Sequence, residues 1–167
     1  MALITDKGII LIIGDSGSGK THFCNAYAEE ARQHGWQVGG IICPAVFNGQ
    51  LKTAIEALDV ASGERRLLAT PLPGRPKDIP VGEWAIRPET LAWGNRIFQS
   101  VKNLDVLFVD ELGPLEFFGG GGWRVAWMRL EQWDDSIQQG LVVVRPSLVE
   151  EARRNFKITR EIYIKTK

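Results

Sequence analysis

Residues 14–21 read Gly-Asp-Ser-Gly-Ser-Gly-Lys-Thr and meet the pattern G-x-x-x-x-G-K-[ST] at every fixed position. Each residue type answers a chemical need. Glycines let the backbone turn tightly and aim successive N–H groups inward, which makes a nest for anionic oxygens. Lys20 brings a positive charge to β- and γ-phosphates, and the Thr21 hydroxyl is a hard oxygen ligand for Mg²⁺. Contacts to the anion are expected from Gly14, Asp15, Ser16, Gly17, Ser18, Gly19, Lys20, Thr21 and His22. A dinucleotide loop fits less well, because after Gly17 and Gly19 the third glycine position holds His22.

Asp110 and Glu111 close the apolar run Leu-Asp-Val-Leu-Phe-Val at 104–109. An apolar strand that ends in an acid, well downstream of a phosphate loop, is where Mg²⁺ is held. Asp110 would hold it through the water shell that Mg²⁺ retains. Thr21 and Asp110 are therefore the expected metal side chains. Glu111 can face an attacking water as general base, which favours hydrolysis over transfer to another acceptor, since transfer must exclude water. Arg145 ends the apolar run 141–144. If that strand lies beside the first, its guanidinium reaches the γ-phosphate; otherwise it is a surface arginine packed on Pro146. The expected catalytic set is Glu111, Lys20 and Arg145. Glu116 reads either as an acid one layer out from the metal or as a solvated loop carboxylate.

The elements that must position these residues follow from pattern. Residues 8–13 are apolar and β-branched, of strand length, just before the loop. A helix follows, with Phe23, Ala26, Tyr27 and Ala31 on one face and Gly35 to stop it; its N-terminus adds a dipole to the phosphate site. Residues 37–43 predict a second strand. The runs 53–60 and 65–69 flank a turn signal at 61–64 and predict an inserted antiparallel hairpin, with helix as the alternative over 52–58. Residues 71–82, with Pro71, Pro73, Pro76 and Pro80, predict an irregular loop able to move. Pro88 opens a helix to about residue 102. The glycine run 119–122 reads as a slack lead-in to the next helix, or as a gate. Residues 123–139 show helical spacing in Trp123, Ala126, Trp127, Leu130, Trp133 and Ile137, with the tryptophans as packing rather than base-stacking groups. Ser147 with Glu150 predicts a capped short helix to 154, and residues 162–164 a last strand. Strands alternating with helices predict an α/β protein: a mostly parallel sheet with helices on both faces, and ligands at the carboxyl ends of the strands.

The chain of 167 residues fits one domain, 1–167. Twenty basic and twenty acidic residues cancel, so no global field draws it to nucleic acid. The longest apolar run is too short to span a bilayer, and it abuts the phosphate loop rather than a cleavage site. Two cysteines, Cys24 and Cys43, lack C-x-x-C spacing and read as reduced thiols. The chain is expected in the cytoplasm, without membrane or nucleic acid.

Four stretches carry a family resemblance: Gly-Gly-Ile-Ile-Cys-Pro (39–44), Ser-Gly-Glu-Arg (62–65), Val-Asp-Glu-Leu-Gly-Pro-Leu-Glu (109–116) and Val-Val-Arg-Pro-Ser-Leu-Val (143–149). In order along the chain they resemble the nucleoside-triphosphatase family first described in thermophiles, which includes the vertebrate cancer-related nucleoside-triphosphatase. The resemblance implies a P-loop NTPase, a three-layer sandwich of RecA-like topology. It implies a monomer that slowly hydrolyses ATP, GTP, CTP and UTP with Mg²⁺. Lys20, Thr21, Asp110 and Glu111 take the phosphate, metal and water-activating roles, and the segment 81–84 a base-side contact. Pro146 stands where the family often has an acid. No Asn/Thr-Lys-x-Asp motif for guanine occurs, since Lys102-Asn-Leu-Asp105 has another spacing. The alternatives are a nucleotide kinase, which would need a lid with several arginines where only Arg75 and Arg87 lie in or near a loop without forming a cluster, and a partner-stimulated switch, with tryptophans toward the partner.

Overall fold

The computed structural model describes residues 1–166. The strand β1 (Gly8–Ile13) leads through the phosphate loop into α1 (Lys20–Gln33), as the apolar run and helical spacing predict. The chain continues through β2 (Val38–Ile42), β3 (Ala45–Asn48), β4 (Leu51–Asp59), β5 (Arg65–Pro71), β6 (Ile79–Val81) and β7 (Trp84–Ile86). Then come α2 (Pro88–Ser100), β8 (Leu104–Val109), α3 (Pro114–Phe118), α4 (Arg124–Glu131), β9 (Ile137–Val144), α5 (Val149–Asn155) and β10 (Ile158–Tyr163).

All ten strands join one sheet in the order β10-β1-β9-β8-β2-β4-β5-β7-β6, with β3 on β4. The first five of that order are parallel to their neighbours. β9 lies between β1 and β8, so Gly14, Asp110 and Arg145 follow the carboxyl ends of neighbouring strands. The rest, residues 45–86, is an antiparallel wing on β2. It is larger than the expected hairpin. The helical alternative over 52–58 is replaced by β4, where cross-strand pairing outweighs the helix preference of Ala and Glu.

Alternation along each central strand builds two cores. Ile9, Leu11, Ile13, Leu107, Val109, Val142 and Val144 face α2, α4 and α5. Ile10, Ile12, Val106, Phe108, Leu141 and Val143 face α1 through Cys24, Tyr27, Ala28 and Ala31. Helices thus cover both faces, with α1 alone on one. Phe23 and Ala26 lie at the margin of the buried stripe, which Cys24 and Ala28 complete instead.

Several expectations need correction. The proline-rich stretch is no free loop: it contains β6, and Arg75 is pinned by Asp78, whose carboxylate accepts from its backbone N–H at 2.8 Å and its guanidinium at 2.7 Å. Arg75 also pairs with Glu89, and Arg87 lies 4.0 Å from Asp78, so neither arginine forms a free lid. The helix from 123 stops at Glu131, and Ile137 already belongs to β9. Ser147 lies in a 3-10 turn and caps nothing; α5 begins after Leu148. The last strand starts at Ile158 rather than 162. No helix among the described residues is long and apolar enough to cross a membrane.

Candidate active site

The phosphate loop is a set of glycine requirements. Gly17 and Gly19 have φ of +77° and +99°, the left-handed region that glycine enters at no steric cost. Gly14 is excluded from being anything larger by contact: a Cβ there would lie 2.3 Å from Ser18 Oγ and 2.7 Å from the Ile164 carbonyl. The loop is closed by Ser18 N–H donating to the Asp15 carbonyl. Lys20, buried in the first turn of α1, donates through Nζ to the same carbonyl at 2.7 Å. Its ammonium therefore arches over the loop. Ser18 Oγ is buried with no partner among the described residues. Asp15, Ser16 and His22 are exposed, His22 on the outer side of the first helical turn.

Across from the loop, β8 delivers Asp110, 3% exposed. Its Oδ2 accepts from the Thr21 hydroxyl at 2.8 Å and from the Cys43 backbone N–H at 3.0 Å. The Cys43 thiol donates to the Asp110 carbonyl at 2.8 Å, so the end of β2 braces the end of β8. Burial pushes the Asp110 carboxyl up to about 6 against the pull of the Cys43 and Thr21 hydrogen bonds, with the Glu111 charge adding to the rise. Burial likewise raises both thiols far above the ordinary range, Cys24 and Cys43 alike, which leaves them protonated and free.

Glu111 follows through a cis peptide and is half-buried. Its Oε1 lies 3.3 Å from Nε of Arg145, which reaches over from the end of β9. Arg145 is exposed and pairs with this carboxylate. Glu116 is buried, not solvated: it accepts from the backbone N–H of Gly113 at 2.9 Å and of Trp123 at 3.1 Å. The glycine run 119–122 is tied at both ends, by Gly119 and Gly121 N–H to the Leu115 carbonyl and by Asn95 to the Gly122 carbonyl. Phe117 anchors α3 on Trp127 and Phe156. These contacts hold the segment after Glu111 from behind. Trp93, Trp123 and Trp127 are buried, and none of the six tryptophans is exposed.

The arrangement suits Mg²⁺. A hydroxyl and a carboxylate are adjacent, both hard oxygen donors, and no group of three or more His, Cys, Asp or Glu gathers among the described residues. Mg²⁺ uses one or two protein oxygens and fills the rest with phosphate and water. Sequence reasoning missed two neighbours of the site: Cys43, whose part is played by its backbone N–H, and Lys52, whose ammonium feels the charges of Glu111, Arg145, Asp110 and Lys20. No local pattern marks either one.

Comparison with known proteins points the same way. The family model described as NTPase matches residues 9–120. The nucleoside-triphosphatase THEP1 of Methanopyrus kandleri is 33% identical over 64% of the chain and 58% of its own length. That of Methanocaldococcus jannaschii is 31% identical over 65% and 63%. The chain therefore spans about six tenths of the length of these curated relatives. Among solved structures, a human cancer-related nucleoside triphosphatase superposes with TM-score 0.64 at 19% identity, over 92% of this chain and 87% of that one. THEP1 from Aquifex aeolicus superposes with TM-score 0.64 at 18% identity, over 94% and 88%. Both share the fold.

Proposed function

The chain belongs to the NTPase family, whose model it matches over residues 9–120, and from that premise we propose that it hydrolyses nucleoside triphosphates to diphosphate and phosphate. One observation carries the reading. The Thr21 hydroxyl and Asp110 carboxylate meet at 2.8 Å between the phosphate loop and the end of β8, with Glu111 as the next residue. Thr21 and Asp110 would hold Mg²⁺, which would supply positive charge against the phosphates. Residues 14–22 surround the phosphates, and Lys20 meets the β- and γ-oxygens. Glu111 takes a proton from water as the water oxygen bonds to the γ-phosphorus. The bond from that phosphorus to the bridging oxygen breaks, and its electron pair stays with the diphosphate. Arg145, paired with Glu111, holds the carboxylate aimed and stays within reach of the γ-phosphate. The absence of a guanine motif supports use of ATP, GTP, CTP and UTP alike. The balanced charge supports a function without nucleic acid, and the family resemblance supports a cytoplasmic monomer that needs no membrane.

The test is phosphate release from the four nucleotides with Mg²⁺, beside Glu111→Gln. Slow release from each is expected, and the variant should keep triphosphate affinity while turnover drops by on the order of 10²-fold. Tight triphosphate binding without any release would replace this reading with phosphotransfer to an acceptor or with a partner-driven switch.

A further inference from the structure

β4 is nine residues long, but only Leu58 and Asp59 pair with β2, on Ile42 and Ile41. The two strands are antiparallel, so going back from Leu58 toward Leu51 carries β4 past the carboxyl end of β2. That is the edge at which the phosphate loop, Asp110, Glu111 and Arg145 assemble. There β4 is supported by β3 on one side, with Lys52 opposite Phe47.

Lys52 is half-buried, and its ammonium sits 4.9 Å from the centre of the Trp84 ring. It belongs to none of the ion pairs among the described residues; Arg145 takes Glu111, and Arg65 takes Glu56 on the same strand. An aromatic face attracts a cation weakly at an exposed site, which orients an ammonium without neutralising it. Burial, the largest influence, pushes the ammonium below the usual lysine range; the Glu111 charge opposes this and Arg145 adds to it. Asp110 and Lys20 are among the other charges its ammonium feels.

We propose that Lys52 is a further catalytic cation of this site: held over the Trp84 ring, it meets the terminal phosphate of the bound nucleoside triphosphate. The inference rests on the hydrolytic reading above and adds a residue from the wing to it. In phosphoryl transfer, charge spreads over the equatorial oxygens of the γ-phosphoryl group as the bridging bond breaks. A cation aimed at those oxygens from the side away from the loop stabilises that charge, and it favours triphosphate over diphosphate. Trp84 is a positioning residue, acting through Lys52.

The experiment is calorimetric affinity for ATP and for ADP with Mg²⁺, together with turnover, in wild type, Lys52→Gln, Lys52→Arg and Trp84→Leu, with thermal unfolding to verify folding. Lys52→Gln should weaken ATP about tenfold, leave ADP within about twofold, and lower kcat by ~100- to 1,000-fold, the range for loss of one charge-stabilising donor. Lys52→Arg should recover most of both. Trp84→Leu should reduce the ATP-to-ADP preference, which a merely structural role would leave alone. Equal losses for ATP and ADP, or unchanged preference and turnover in Lys52→Gln, overturn the proposal. If wild type binds ATP but releases no phosphate, hydrolysis falls while the affinity ratio still decides for or against Lys52.

Discussion

Asp110 shows how one side chain couples burial to function. Its carboxyl is raised from an ordinary 3.8 to about 6, chiefly by burial. In the unfolded chain it ionises near 3.8, so between pH 4 and 6 the unfolded state loses a proton that the folded state keeps. Metal-free protein should therefore lose up to about 3 kcal/mol of stability from this group as pH rises through that window. Glu116 is raised by burial too, so the readout is the difference in Tm between wild type and Asp110→Asn across pH 4–7. The wild type should fall more steeply; parallel profiles would place the burial cost elsewhere. The residues of the phosphate loop, with Asp110 and Glu111, were legible in the sequence because their chemistry demands fixed neighbours. Lys52 was not, since a lysine on a strand has no local signature, and its place over the site depends on how far β4 overshoots β2. Arg145 was half legible: its strand end was readable, its Glu111 partner was not.

Among the elements, the short stretch from α3 to α4 depends on close approach. A Cβ at Gly122 would lie 2.3 Å from Glu116 Oε1, and its φ is +64°. Gly122→Ala should therefore dislodge the carboxylate that ties Gly113 to Trp123, costing at least about 2 kcal/mol in urea unfolding. Gly121, with nothing within 4 Å, tolerates alanine, and the contrast between the two variants is the measurement. If both behave alike, Glu116 does not hold this segment. The helix boundary here shows where pattern misleads. Trp127 and Leu130 are buried on α4, and Trp123 at its N-cap, as their spacing predicts. Trp133 and Ile137 continue the spacing by coincidence: the helix has ended at Glu131, and the Asp134 carboxylate accepts from the Ser136 N–H in a tight turn that leads into β9. β10 was read too short for a different reason: Arg160 and Glu161 interrupt its apolar pattern, as charges do on edge strands.

At the scale of the molecule, a buried polar knot fastens the N-terminal segment to both the sheet and α1. Gln139 Nε2 donates to the carbonyls of Ile4 and Asp6, each at 2.7 Å, while its Oε1 accepts from the Tyr27 hydroxyl at 2.8 Å. Tyr27 in turn accepts from the Ile4 N–H at 3.1 Å. Gln139→Leu leaves these groups buried without partners and should lower stability by about 2–4 kcal/mol. Turnover at low temperature should persist, because Gln139 lies toward the amino end of β9 and Arg145 just past its other end; lost turnover in a folded variant would contradict this separation. The sheet order was only partly legible, since alternation along a strand tells which faces are buried and says nothing of which strand lies beside it. That order has a consequence for biosynthesis. β1 carries the phosphate loop, yet its neighbours are β9 and β10, with Ile9 opposite Gly140 and Ile158. A ribosome delivers β1 early and its partners more than a hundred residues later, so the apolar run Gly8–Ile13 must wait as an unpaired strand. The wing, whose strands pair with near neighbours in the chain, can close meanwhile. The strand that will later bear the chemistry is thus an aggregation hazard of the nascent chain until β9 and β10 emerge.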